Sequence, residues 1–169
     1  MGLGGPLWSP AVLQDDVALV GKSMQLMHRY VEEVISIAEA SLGGLRGRSA
    51  LLIGPEELRQ PYSVLLQQAG MKYIYQEDTH GSVPAIIPHV QLLMNLPVSS
   101  TSSHPIPQLT ASVIAQGCIG RRAPLLIFDL AESTSVEELA GLLPAVCLYT
   151  PDDLHKILQK DQVHIEMVQ

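Results

Sequence analysis

Residues 49–59 read Ser-Ala-Leu-Leu-Ile-Gly-Pro-Glu-Glu-Leu-Arg, and this stretch decides the fold. Its first five residues are a short, mostly apolar run that predicts a buried strand, and Gly54 follows at once, as in the strand-to-helix turn of dinucleotide-binding proteins. Such a turn normally carries two more glycines, one for close approach of the pyrophosphate and one for packing of the helix on the strand. Glu56 and Arg59 stand at those two positions. The setting is that of a nucleotide site, but its central residues are altered.

The composition indicates one acidic, aliphatic globular domain. The chain has 169 residues, a net charge of −7, 47% hydrophobic residues and only 16% charged residues. The ten basic residues form no long run, which argues against a nucleic-acid surface. No stretch approaches the roughly 20 apolar residues of a membrane span. The start of the chain is unlike a signal peptide and the two cysteines have no redox or metal spacing, so we expect a cytoplasmic protein.

Apolar runs alternate with helical patterns along the chain. The predicted strands lie at 49–53, 73–76, 92–99, 125–129 and 146–149. This alternation is typical of a parallel sheet covered on both faces by helices. We therefore expect a single-domain α/β fold, a doubly wound Rossmann-like sheet of five strands in the order 3-2-1-4-5. Its ligand crevice would lie at the carboxyl ends of strands one and four.

Domain boundaries follow from the pattern at the two ends of the chain. The first residues are rich in Gly and Pro, and a helical pattern begins at Ser23. We expect an N-terminal arm at 1–22, the Rossmann-like domain at 23–160 and a C-terminal tail at 161–169. The flanking helices have apolar sides that need cover, so we expect a homo-oligomer or another protein partner.

Three segments in series resemble the central nucleotide-binding domain of the glutamyl-tRNA reductase family. The run GRSALLIGPEELRQPYSVLLQQAGMKYIY (47–75) is similar to the family's strand, IGAGEMG loop, helix and second strand that ends in NRT. SSTSSHPI (99–106) resembles its SST…HPI segment, and LLIFDLAESTSVEELAGLLPAVCLYTPDDL (125–154) resembles its IDLAVPRD…YLYNVDDL segment. The order and spacing hold from about Ser23 to Leu158. The resemblance implies an NADP-binding fold linked to tetrapyrrole biosynthesis.

The resemblance is confined to that central domain. The family's enzyme also carries an N-terminal catalytic domain with a nucleophilic cysteine and a C-terminal helical dimerisation domain. Nothing in this chain corresponds to either, and Cys118 and Cys147 do not match the catalytic motif. The six histidines show no metal-ligand spacing. We therefore assign no catalytic residue and no metal site.

The resemblance places a cofactor site at the loops after the strands, where this chain departs from the family. Glu56 and Arg59 replace two glycines of IGAGEMG, and Asp78 replaces the arginine of NRT that would meet the 2′-phosphate of NADP. An acid there can hold the ribose hydroxyls of NAD but disfavours NADP. In place of PRD stands Glu132-Ser133-Thr134. The candidate cofactor-binding residues are Gly54, Glu56, Arg59, Asp78, Thr79, Ser100, Thr101 and Ser102.

Two functions remain open from the sequence. The first is a non-catalytic relative of the reductase domain, a binding or regulatory module in tetrapyrrole biosynthesis or in a larger assembly, with no cofactor. The second is an oxidoreductase subunit that binds NADP or NAD and works with a catalytic domain on another chain. A plain scaffold without either role is also compatible with the residues. The altered loop favours the first function.

Overall fold

A computed structural model of the chain describes residues 10–97 and 108–168, and describes side chains within 21, 25–97 and 108–159. The helices are α1 (Pro10–Leu42), α2 (Glu56–Gln68), α3 (Val83–Ile86), α4 (Ala111–Gly117) and α5 (Pro151–Val168). The strands are β1 (Ser49–Ile53), β2 (Tyr73–Glu77), β3 (Leu92–Asn95), β4 (Leu125–Asp129) and β5 (Val146–Tyr149). Two short 3-10 helices lie at Ile87–His89 and Glu138–Leu142.

The five strands form one fully parallel sheet, which confirms the predicted α/β, Rossmann-like class. Alternate residues of each inner strand enter two separate cores because strand side chains point to opposite faces in turn. Ala50 and Leu52 of β1 join a core with α1, α2 and α5, whereas Leu51 and Ile53 join one with α3, α4 and the 3-10 segments. The sheet is therefore covered on both faces.

The strand order is 2-1-3-4-5, which corrects the predicted 3-2-1-4-5. β3 lies between β1 and β4, and all four of its residues are buried. β2 is only partly buried and forms the edge. The apolar run of Leu92–Met94 suits a central strand, and the polar end of β2 suits an edge strand. Pro97 follows β3 and therefore marks the end of the strand, without any effect on its pairing. The reversal in strand order consequently falls between β1 and β3.

Both terminal helices are longer than the sequence predicted. Helix α1 begins at Pro10 and not at Ser23, and α5 continues to Val168, through the predicted tail. Proline is well tolerated in the first turn of a helix, and Gly21 costs only about 1 kcal/mol relative to alanine, so neither residue stops α1. Helix α5 contains no glycine or proline after Pro151. The domain boundaries at 22 and 161 accordingly fall inside helices.

The sequence pattern predicts a short acidic helix at Ser135–Leu142 with Ser133 or Ser135 as its cap, but the structure has a 3-10 segment at Glu138–Leu142. The backbone N–H groups of Ser135 and Val136 donate to the carboxylate of Asp129, and the N–H of Glu137 donates to the carbonyl of Leu109. The Leu109 N–H also donates to the carbonyl of Ser135 over 2.8 Å, and Val136 forms a parallel β-bridge with Leu109. These contacts hold the segment in an extended conformation, so the 3-10 helix begins only at Glu138.

Candidate functional site

The loop after β1 keeps the turn of a dinucleotide-binding unit. Gly54 has a φ of +137°, a conformation that side-chain-bearing residues rarely adopt. A Cβ at this position would lie 2.9 Å from the Cβ of Leu96, which follows β3. The Gly54 N–H donates to the carbonyl of Glu77 over 2.9 Å, and the Leu96 N–H donates to that of Ile53 over 2.8 Å. The glycine is thus required by backbone geometry and by the close passage of the next loop.

The N-terminus of α2, where such folds bind the pyrophosphate, carries acidic side chains in this chain. Pro55 is the N-cap, with no side-chain cap, and Glu56 and Glu57 form the first turn. Carboxylates are favoured there because the helix dipole and unpaired N–H groups are positive. The same groups are what bind a phosphate. Glu56 is exposed and places a fixed negative charge beside that anion site.

Arg59, at the position of the third glycine, folds back over the loop and is buried. Its Nε donates to the carbonyl of Gly54 over 2.8 Å, and its Nη1 donates to Oε1 of Gln76 over 3.1 Å. Its Nη2 lies 2.8 Å from Oδ1 of Asp78 and forms an ion pair with it. The guanidinium therefore joins the loop after β1 to the end of β2. In dinucleotide-binding folds, the region between this loop and the end of the second strand holds the pyrophosphate and the ribose of the cofactor.

Asp78 stands just beyond β2, where its side chain is 80% exposed although one oxygen binds Arg59. Thr79 follows it and is exposed as well. The sequence-predicted residues Gly54, Arg59 and Asp78 are thus brought together, with Glu56 on the adjoining helix turn. Ser100, Thr101 and Ser102 lie outside the described residues.

A second polar cluster, at the carboxyl ends of β3 and β4, was not assigned from the sequence. Nε2 of His80 lies 3.0 Å from Oδ1 of Asn95, and Nδ2 of Asn95 donates to Oγ of Ser135 over 2.8 Å. The Ser135 hydroxyl in turn donates to Oδ1 of Asp129 over 2.6 Å. We call the group His80, Asn95, Ser135 and Asp129 the β3/β4 network. The signal for it in the sequence is a polar residue at the last position of each of two apolar strands.

The β3/β4 network is anchored on a buried carboxylate. Asp129 is 1% exposed, and its oxygens accept the N–H groups of Ser135 (2.7 Å), Val136 (2.8 Å) and Ala131 (3.3 Å) in addition to the Ser135 hydroxyl. These donors balance the cost of burying the charge. His80 comes from the segment after β2 and reaches β3, so this segment passes over the end of β1. The contact spans the strand-order reversal, where such folds bind their ligand.

The residues of this site differ from those of a glycine-rich NADP loop. Two glycine positions hold Glu56 and Arg59, and Asp78 stands where the 2′-phosphate would need a cation.

In the described part of the chain, no cluster of three His, Cys, Asp or Glu residues is arranged to hold a metal ion. None of the helices between 10–97 and 108–168 has the length and apolar character needed to cross a bilayer.

Known proteins similar to this chain are glutamyl-tRNA reductases. The enzyme of Methanospirillum hungatei is 31% identical over 143 residues, which cover 73% of this chain and 34% of that protein. No family model matches the chain. The chain spans about one third of the length of the curated relatives it matches.

Solved structures show the same fold. Glutamyl-tRNA reductase from Methanopyrus kandleri superposes with a TM-score of 0.61 at 18% identity, over 84% of this chain and 40% of that one. A dipicolinate synthase from Bacillus halodurans gives 0.56 at 14% identity, over 94% and 64% of the two chains. Sequence and fold agree: the chain is a relative of the glutamyl-tRNA reductases, to which it corresponds over about one third of their length.

Proposed function

We propose that this chain is a glutamyl-tRNA reductase-like domain that does not bind NADP(H) and acts as a non-catalytic binding or regulatory module. The observation that carries the proposal is the Arg59–Asp78 ion pair, which closes the space between the loop after β1 and the end of β2. A role in tetrapyrrole biosynthesis or in a larger assembly follows from the relatives alone and is part of the proposal.

The electrostatics of the site support the loss of NADP binding. Glu56 and Asp78 place negative charges near the sites of the pyrophosphate and the 2′-phosphate. Two like charges about 4 Å apart repel by roughly 1 kcal/mol in water and roughly 4 kcal/mol at an effective dielectric of 20. Arg59 supplies one positive charge, but that charge is already engaged by Asp78. The site therefore presents a net negative surface to an anionic ligand.

Calorimetric titration of the full chain with NADPH tests the proposal. We expect no binding at NADPH concentrations up to about 1 mM, which corresponds to a binding free energy weaker than about −4 kcal/mol. A dissociation constant in the micromolar range would overturn the loss of binding. Glutamyl-tRNA reductase from Methanospirillum hungatei, titrated in the same buffer, provides the positive control.

One observation favours the second function, an NAD(H)-binding oxidoreductase subunit that works with a catalytic domain on another chain. The Asp78 carboxylate is 80% exposed and stands just beyond β2, where an acidic residue binds the ribose hydroxyls of NAD. This function requires NADH to bind more tightly than NADPH and requires Asp78→Ala to weaken NADH binding about tenfold or more. An equal lack of response to both nucleotides would exclude it.

A further inference from the structure

A groove runs between helices α1 and α2 at the surface of the protein, and we call it the α1/α2 groove. Its volume is about 540 Å³, and all the residues that line it belong to the part of the chain whose side chains the structure describes. Helix α1 contributes His28 and Glu32, and α2 contributes residues 57, 60, 61, 64, 65 and 68. Arg59 lies on the buried side of α2. The groove is therefore separate from the Arg59–Asp78 pair.

One side of the α1/α2 groove is an apolar strip on α2. Val64 is 40% exposed, and Leu65 is half-buried and packs against the core that α1, α2 and α5 share with the sheet. Pro61 lies one turn before Leu65 on the same side of the helix. An aliphatic chain that packs on this strip would remove apolar surface from water, as the stems of arginine and lysine do while their charged ends stay in water.

The charged side chains around the apolar strip are acidic. Glu32 and Glu57 bring one carboxylate from each helix, and both side chains are exposed. Nε2 of His28 lies 2.9 Å from Oε1 of Glu32 and orients that carboxylate. Arg29, the next residue of α1, pairs instead with Glu33, over 3.5 Å. No lysine or arginine is among the described residues that line the groove, so the groove presents negative charge to a partner.

A proline inside α2 adds a further hydrogen-bond acceptor. Pro61 has no backbone N–H, so it cannot donate to the carbonyl of Glu57, one turn earlier in the helix. Pro61 and Glu57 are four positions apart and share the side of α2 that lines the groove. This carbonyl is thus left to a donor from outside the helix. Two carboxylates and a carbonyl together favour a ligand that is cationic and rich in N–H donors.

We propose that the α1/α2 groove binds a protein partner through an arginine side chain that stands beside an apolar residue. The aliphatic stem of the arginine packs on the strip of Pro61, Val64 and Leu65, and its guanidinium bonds the carboxylates of Glu32 and Glu57. The five N–H donors of a guanidinium suit acceptors that come from two helices. The net charge of −7 attracts a basic partner as well. Because the groove is distinct from the cofactor loops, the proposal does not depend on whether NADPH binds.

A peptide titration of the full chain tests the groove. The probe is a capped pentapeptide with arginine between two leucines, and the control is the same peptide with citrulline, which keeps the shape of arginine without its charge. By NMR of the labelled chain, we expect saturable shifts at the methyl groups of Val64 and Leu65, with a dissociation constant of about 1 mM or tighter. The citrulline peptide should bind at least about fivefold more weakly.

A matched pair of double variants tests the carboxylates. Glu32→Gln with Glu57→Gln removes the charge of the groove and should raise the dissociation constant of the arginine peptide at least about fivefold. Glu39→Gln with Glu138→Gln removes the same number of charges from exposed positions outside the groove and should leave it within about twofold. Circular dichroism establishes that both variants are folded.

Pro61→Ala tests the carbonyl of Glu57. Alanine supplies the missing helical N–H, so this variant should unfold at a higher urea concentration than the wild type. The same change occupies the carbonyl and removes the proline ring from the strip, so the arginine peptide should bind about twofold more weakly. A weaker binder that is more stable cannot owe its loss of affinity to unfolding. Unchanged or tighter binding by the folded variant would contradict the role of Pro61 and of the Glu57 carbonyl.

Four results would overturn the groove as a partner site. These are the lack of a saturable shift at Val64 and Leu65 up to about 5 mM peptide, equal affinity for the citrulline peptide, equal effects of the two double variants, and binding of free argininamide as tight as that of the peptide. The last result would show a site for a free cation, because the flanking apolar residues of a protein partner would then contribute nothing.

Discussion

The two halves of the sheet's carboxyl edge hold their polar groups in different ways. At β1 and β2, Arg59 is buried but its partner Asp78 is largely exposed, so the ion pair lies at the surface of the protein. At β3 and β4, Asp129 is almost fully buried and every contact of its carboxylate is internal. The first half resembles a ligand site filled by the chain's own side chain. In the second half, the buried Asp129 carboxylate fixes the conformation of the loop at 131–136 through hydrogen bonds to its N–H groups.

This difference predicts a large loss of stability when the hydrogen bonds of the Asp129 carboxylate are removed. Asp129→Ala leaves the buried N–H of Val136 and the hydroxyl of Ser135 without their acceptor, and we expect the free energy of unfolding to fall by about 3 kcal/mol. Urea unfolding measures this change. Exposed Asp152→Ala is the control, with a change within about 0.5 kcal/mol. A loss below about 1 kcal/mol for Asp129→Ala would mean that the β3/β4 network contributes little to the stability of the fold.

On the other half, the backbone turn should be more sensitive than the side chains it supports. Gly54→Ala combines an unfavourable positive φ with a Cβ only 2.9 Å from that of Leu96, so we expect a loss of about 2–3 kcal/mol. Gly120→Ala also has a positive φ but meets nothing within 4 Å, and should cost only about 1 kcal/mol. Equal losses would show that the contact with Leu96 relaxes freely.

The Arg59–Asp78 pair should contribute little to stability. Arg59→Ala removes three hydrogen bonds and is expected to cost about 1–2 kcal/mol, whereas Asp78→Ala should cost less than about 1 kcal/mol because its carboxylate is exposed. A double-mutant cycle by urea unfolding should give a coupling of at most about 1 kcal/mol. A coupling above about 2 kcal/mol would mean that the pair is a structural element like the β3/β4 network.

The smallest effect is expected at the outer end of the β3/β4 network. His80→Ala removes one hydrogen bond to Asn95 from a half-buried ring, and should lower the free energy of unfolding by about 1 kcal/mol. His89→Ala, on an exposed ring nearby in sequence, should change it by less than about 0.5 kcal/mol. If the two variants unfold at the same urea concentration, the hydrogen bond between His80 and Asn95 does not stabilise the contact between the segment after β2 and β3.

The sequence predicted the features that depend on neighbouring residues. The apolar runs of β1 and β4 and the glycine that follows β1 indicated the fold class, since such signals are local. The strand order depends on pairing between distant segments: the predicted order put the third strand at the edge of the sheet, whereas the burial of β3 shows a central strand. The start of α1 was misplaced because Gly21 does not end the helix. The 3-10 segment begins later than predicted because Val136 is bridged to Leu109, which is distant in the sequence.

In the candidate site, too, the contacts between residues distant in the sequence were not predicted. Gly54, Arg59 and Asp78 were each noted in the sequence as departures from or remnants of a nucleotide loop. Their mutual contact was not foreseen, because it joins residues 19 positions apart through a side chain that folds back. Two departures that are separate in the sequence therefore form one contact.

The most direct test of this account is the affinity for NADPH of the wild-type chain and of a variant that restores the family's residues, Glu56→Gly with Arg59→Gly and Asp78→Arg. Circular dichroism and urea unfolding establish that the variant is folded before the titration. We predict no calorimetric binding for the wild type up to about 1 mM and a dissociation constant at least about tenfold lower for the variant. Micromolar binding by the wild type, or a folded variant that gains nothing, would contradict the claim that the Arg59–Asp78 pair fills the cofactor site.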